Sequence, residues 1–183
     1  YHKVCLELID KQENLLSLAR ALSVLDVYCS FAYLADENEY YRPELSDDMR
    51  FEIIEGRHSV VEAALKQSNE SFVYNNCSLS SDERVWLITG PNMAGKSTYL
   101  RQNAVIAILA HIGSYVPAKA AHIGVVDKIF SRIGAGDDLN KGQSTFMLEM
   151  LETSAILMQS SHKSLIILDE VGRGTSTYDG VSI

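Results

Sequence analysis

One short run constrains this chain more than any other. Gly90-Pro91-Asn92-Met93-Ala94-Gly95-Lys96-Ser97 fits the spacing G-x-x-x-x-G-K-[ST], in which backbone amides, a lysine and a hydroxyl converge on phosphate. Gly90 and Gly95 admit backbone angles that side chains resist, so successive N–H groups can turn toward one anion. A helix that starts at the end of the run points its positive end at that anion. Lys96 can reach the outer phosphates, and the Ser97 hydroxyl is a hard oxygen of the kind Mg2+ accepts. The flanks agree. Val85-Trp86-Leu87-Ile88-Thr89 is an apolar run that reads as a buried strand. Residues 97–112 read as a helix, with Leu100, Ala104, Ile108 and Ile112 at every fourth position. Strand, glycine-rich turn and helix in that order predict a phosphate loop. The bland alternative is a tight turn that holds nothing.

A second feature completes the first. Ser164-Leu165-Ile166-Ile167-Leu168 reads as another buried strand, ending on Asp169-Glu170. In a parallel sheet, ligands bind beyond the C-terminal ends of the strands. Asp169 is then the expected Mg2+ partner, and Glu170 the expected base or positioner for an attacking water. Alone, such a pair could be a solvated strand end; with a phosphate loop upstream, the two halves make one site.

The remaining elements set the frame. Residues 3–35 are helical by the spacing of Val4, Leu8, Leu15, Leu18, Leu22, Leu25 and Cys29. That is roughly 50 Å at 1.5 Å per residue, suited either to a bundle core or to a long lever. Residues 36–50 are polar and acidic, and a domain boundary is placed there. Residues 51–55 and 125–129 read as strands, 134–142 as a polar loop and 145–158 as a helix marked by Phe146, Met150, Leu151, Ser154 and Leu157. Strands alternating with helices predict an α/β domain with a parallel sheet. A net charge of −8 argues against a DNA-binding module in this segment alone, because a phosphate backbone needs a basic footprint. Cys5, Cys29 and Cys77 fit no metal spacing. No apolar run approaches the roughly 18 residues of a membrane span, so no membrane role is expected.

Three longer runs carry a resemblance. Thr89 to Thr98, Ser144-Thr145-Phe146-Met147-Leu148-Glu149-Met150, and Leu168-Asp169-Glu170-Val171-Gly172-Arg173-Gly174-Thr175-Ser176 resemble the MutS family of DNA mismatch-repair ATPases. Gly56-Arg57-His58, with Phe72 and Asn75, is similar to the start of that family's ATPase domain. The resemblance implies a P-loop NTPase of the ABC type, preceded by the end of a lever helix. Residues 1–40 would then be the C-terminal part of the core and lever domain. Residues 41–183 would be the ATPase domain, cut short at its C-terminus. ATP would lie against Gly90, Pro91, Asn92, Met93, Ala94, Gly95, Lys96, Ser97 and Thr98, with Phe72 stacked on the adenine. Ser97 and Asp169 would hold Mg2+, and Glu170 would be catalytic. Ser144 would reach the γ-phosphate of a partner subunit, in trans. The stretch from Gly172 to Thr177 would cross the dimer interface.

The resemblance also implies partners. They are a mismatched DNA duplex bound through regions outside this chain, a second ATPase domain in a homo- or heterodimer, and a MutL-like protein. Gly136-Asp137-Asp138-Leu139 and Ala94 point to bacterial or mitochondrial members, hence to the cytoplasm and nucleoid or to mitochondria. Ala94 stands where many members carry Gly, and is harmless if its backbone is ordinary. Ser59 stands where Pro is usual. The isolated segment is expected to hydrolyse ATP weakly. Other readings are a MutS-like paralogue acting on recombination junctions, and a transporter-type or chromosome-structuring ABC ATPase. The latter usually carries a Leu-Ser-Gly-Gly-Gln-like motif where this chain has Ser144-Thr145-Phe146-Met147.

Overall fold

The computed structural model describes residues 1–91, 93–132, 145–172, 175, 176 and 178. The chain divides into two units, 1–40 and 41–183. The first holds α1 (His2–Asp10) and α2 (Gln12–Glu37). The expected single helix is thus interrupted at Lys11 (φ −96°, ψ 9°) and resumes at once, with the Leu15 amide donating to the Lys11 carbonyl at 3.0 Å. Leu8, Leu15, Leu18, Leu22 and Leu25 are exposed, and Ala35 is the one buried residue of the two helices. The apolar stripe exists as the spacing implies, but nothing within the unit covers it. By length and composition, α2 would also reach across a membrane. Counting uninterrupted apolar residues passed over it because Arg20 and Asp26 punctuate the run. A core helix of a water-soluble protein passes the same test.

The second unit is mixed α/β. Its strands β1 (Glu44–Ser46), β2 (Phe51–Gly56), β3 (Asn75–Leu79) and β4 (Ala120–Gly124) form one sheet in the order β1-β4-β2-β3. β1 and β4 run parallel, while β2 is antiparallel to both β3 and β4. β2 alternates as a half-covered strand should: Phe51 and Ile53 face inward, Glu52 and Ile54 outward. Between Ile53 and Gly56 its register against β3 slips, and Glu55 takes φ +51° there. The helix α3 (Ser59–Gln67) follows, and α4 (Lys96–His111) packs on the sheet. Ile106, Ala107 and Ala110 of α4 meet Phe51, Ile53, Cys77, Ala121 and Ile123 in one core, closed by Val116 and Ala118.

A separate parallel pair, β5 (Ile129–Arg132) and β6 (Leu165–Leu168), adds Ile129 and Leu165 to the edge of that core. α4 touches both β2 and β6, and α5 (Thr145–Gln159) lies against β5. The helix α4 therefore joins the sheet to the strand that leads into the acidic pair.

Several expectations need correction. The four-stranded sheet is mixed, with mostly antiparallel pairing, where an all-parallel sheet was expected. Residues 85–89 join neither sheet, and Val85 and Leu87 are 84% and 89% exposed. An apolar run becomes a buried strand only when a ladder partner takes its amides and carbonyls, and among the described residues none does. The strand expected at 125–129 begins only at Ile129. The Val125 and Val126 amides donate elsewhere, to the Ser46 carbonyl at 2.8 Å and to His111 Nε2 at 2.9 Å. On α4 the buried face is Gln102, Asn103, Ile106, Ala107 and Ala110, whereas Ile108 and Ile112 are exposed. On α5 the buried residues are Glu149 and Ile156, whereas Leu151 and Leu157 are exposed. In both helices a buried polar residue marks the inner face, and apolar spacing alone points elsewhere.

Candidate functional site

The glycine-rich run at 90–97 is built on backbone angles that glycine tolerates. Gly90 takes φ +154° and Gly95 φ +87°, the latter as the residue that caps the start of α4. A methyl on Gly95 would meet nothing within 4 Å, and one on Gly90 only Lys96 Cδ at 3.9 Å. Glycine is required here by conformation and not by crowding. Met93 also takes a left-handed angle, φ +65°, with its side chain fully exposed. Ala94 is absent from the positive-φ residues, which meets the condition under which its methyl is harmless. The Ala94 amide donates to the Pro91 carbonyl at 3.3 Å, and the Tyr99 amide to the Gly95 carbonyl at 2.9 Å.

Lys96 folds back over this loop. Its Nζ donates to the Gly90 and Pro91 carbonyls, both at 2.8 Å. An ammonium has three donors, and these two bonds are the ones it makes among the described residues. Ser97 and Thr98 follow in the first turn of α4, half-buried. The helix is tied to the sheet by Tyr99, whose hydroxyl donates to the Asn76 carbonyl at 2.8 Å. Burial, and then the Cys77 thiol beside it, push the Tyr99 hydroxyl well above its ordinary range, so it stays a donor. Burial raises the Cys77 thiol too, which makes it a packing residue rather than a nucleophile.

The acidic pair lies just past β6. The Asp169 amide donates to the Arg132 carbonyl at 2.8 Å, continuing the parallel ladder by one rung. The Asp169 side chain is buried, and among the described residues no cation is paired with it. Glu170 is exposed and takes φ +55°, a left-handed angle uncommon for a non-glycine residue. Such strain concentrates at functional positions. Gly172 turns the chain again at φ +83°.

Ser97 and Asp169 offer the hard oxygens that Mg2+ takes. No cluster of three His, Cys, Asp or Glu side chains exists among the described residues. Mg2+ needs no such cage, since it keeps several waters and takes one or two protein oxygens plus phosphate. Ser97 and Asp169 are the residues that would hold it.

Phe72 is half-buried in the segment before β3. Asn92, Ser144, the 134–142 loop, Arg173, Gly174 and Thr177 lie outside the described residues. Two arrangements escaped sequence reasoning. Arg57 and Glu62 form a buried ion pair at 3.0 Å, locking α3 to the segment after β2. Glu149 is buried and accepts a hydrogen bond from the Gly172 amide at 2.8 Å. The only signal of either was a charged residue on a helix face that turned out to be the inner one.

Comparison with known proteins agrees with this geometry. Residues 86–183, more than half of the chain, match the family described as MutS domain V. The chain is 70% identical over its whole length to the DNA mismatch repair protein MutS of Rickettsia prowazekii (strain Madrid E), of which it covers 20%. It is 70% identical to the protein of the same name from Rickettsia felis (strain ATCC VR-1525 / URRWXCal2), of which it covers 21%. The chain thus spans about a fifth of the length of these relatives. Both come from bacteria, which favours the bacterial reading over the mitochondrial one. The chain belongs to the MutS family of DNA mismatch-repair proteins, in its bacterial type.

Proposed function

We propose that residues 41–183 form the greater part of an ABC-type P-loop ATPase domain, and that residues 1–40 end the lever helix leading into it. In the full-length protein this domain binds and hydrolyses ATP and couples nucleotide state to clamping on mismatched DNA. The observation that carries the reading is the placement of Lys96. Its ammonium is held by the Gly90 and Pro91 carbonyls at the start of the glycine-rich loop, and α4 packs against β6, the strand that leads into Asp169 and Glu170. A β- or γ-phosphate would take the remaining Nζ proton together with the amides around Gly95. Phe72 would stack on the adenine. Ser97 and Asp169 would hold Mg2+, whose chemistry there would be to offset charge on the transferred phosphoryl group. Glu170 would orient the attacking water and take its proton. Ser144 would complete the site of a partner subunit, so turnover needs a dimer and this segment alone turns over weakly.

DNA is contacted by parts of the protein outside this chain, consistent with its charge of −8. A MutL-like protein is the expected downstream partner, and the cytoplasm the expected compartment. The names of the relatives do not favour the recombination reading. Lys96→Ala in the full-length protein tests the proposal. ATP affinity, read by fluorescent-nucleotide titration, should fall about 10- to 100-fold, since a hydrogen bond to a charged group contributes about 1.5–3 kcal/mol. Unchanged affinity would remove the phosphate-loop reading.

A further inference from the structure

We infer that Glu149 of α5 is a positioning residue for Glu170, and that α5 braces the end of the β5–β6 pair through two carboxylates. The inference rests on the ATPase reading above. Glu149 and Glu152 are three residues apart, so they share one face of α5. That face meets the C-terminal ends of the paired strands. Glu149 Oε1 accepts from the Gly172 amide at 2.8 Å. Glu152 Oε2 lies 2.8 Å from Arg132 Nε as an ion pair, without the alignment of a hydrogen bond. Arg132 is the last residue of β5, and its carbonyl receives the Asp169 amide at 2.8 Å. The two carboxylates therefore grip the chain on either side of the Asp169–Glu170 step, one through the backbone after it and one through the strand beside it.

The two grips differ in kind. Glu152 is 46% exposed, so its ion pair is screened by solvent. Glu149 is only 3% exposed, and a carboxylate is taken out of water only at substantial cost. What it holds is a backbone amide two residues past Glu170, at a glycine in the left-handed region. Glu170 itself is left-handed at φ +55°. Gly172 adopts its angle freely, but the left-handed angle of Glu170 is uncommon for a non-glycine residue, and an anchor two residues past it helps to select it. The anchor acts on Glu170 through the backbone; Glu149 does not touch the reacting groups.

The test uses the full-length protein with Glu149→Ala, Glu149→Asp and Glu149→Gln, beside Lys96→Ala. Glu149→Gln keeps an acceptor oxygen at the same reach. Glu149→Asp keeps the charge but shortens the arm by one carbon, and serves if the alanine variant does not fold. Three quantities are read: nucleotide affinity, kcat for ATP hydrolysis, and amide hydrogen exchange at Gly172. In the alanine and aspartate variants kcat should fall about 10- to 100-fold, as about 1 Å of misplacement costs. Affinity should stay within about twofold, and Gly172 should exchange faster. Glu149→Gln should restore both kcat and protection. The inference is overturned if Glu149→Gln is as impaired as Glu149→Asp, if affinity falls in step with kcat, or if Gly172 exchange is the same in all forms. Failure of the ATPase reading is distinguishable, because Lys96→Ala would then leave nucleotide binding unchanged while exchange at Gly172 still reported on the Glu149 contact.

Discussion

Gly56 makes the packing of α4 on the sheet testable with one methyl group. It ends β2 and is not left-handed, so alanine there suffers no backbone strain. The added carbon would lie 2.6 Å from Gln102 Nε2, 2.8 Å from Ile53 Cγ2 and 3.2 Å from the Asn75 carbonyl oxygen. None of the three yields easily. Gln102 is fully buried in α4, Ile53 is β-branched and 1% exposed, and the third atom is backbone of β3. A buried methyl alone would stabilise by about 0.8 kcal/mol, and losing glycine would add about 0.4–1 kcal/mol through the unfolded chain. Overpacking must exceed both, and the usual net cost of about 1–3 kcal/mol applies. For a domain of this size that is a Tm lower by roughly 3–10 °C. The assay is a thermal melt of the full-length protein, following the transition that Lys96-dependent nucleotide binding shifts. Gly56→Ala with Gln102→Ala should recover part of the loss, because the 2.6 Å contact is gone. A Tm within about 1 °C of wild type, or no coupling between the two sites, would refute the packing described here.

Three further outcomes are expected. Glu170→Gln should leave ATP affinity unchanged while slowing hydrolysis by at least about 100-fold, measured by single-turnover kinetics; unchanged turnover would remove its role as base. Glu62→Ala should destabilise the domain by about 3–5 kcal/mol in urea titration, because it leaves the buried Arg57 charge without this partner; a loss below about 1 kcal/mol would place the pair in solvent. His58 is held below its ordinary value of 6.5, first by burial and then by the nearby charge of Arg101. The unfolded chain therefore takes up a proton before the folded one does. Stability should be constant above the unfolded value and fall as pH drops from about 6.5 toward the lowered folded value. Melts of wild type and His58→Asn between pH 7.5 and 5.5 should diverge, and parallel curves would refute this.

Much of the site was legible because its parts are local. Gly90 and Gly95 with Lys96 are a spacing, and Asp169-Glu170 follows an apolar run long enough to be a strand. The helices α4 and α5 came from periodicity, the strand β6 from a contiguous apolar run, and β2 from a short apolar-rich stretch. What periodicity misassigned were the inner faces. Gln102, Asn103 and Glu149 are polar yet buried, so apolar spacing on α4 and α5 pointed toward Ile108, Ile112, Leu151 and Leu157, which are exposed. Val85 to Thr89 misled in the opposite sense, apolar throughout but joined to no ladder.

By itself, then, the sequence determined the family to which this chain belongs and the spacing on which the proposed phosphate site rests. Both reside in contiguous residues. Only the tertiary structure decided the strand order β1-β4-β2-β3, the contact of Gly56 with Gln102, the Arg57–Glu62 pair and the hold of Glu149 on Gly172. Each of these joins elements through packing or register, and local periodicity carries no record of which distant segment a buried face will meet.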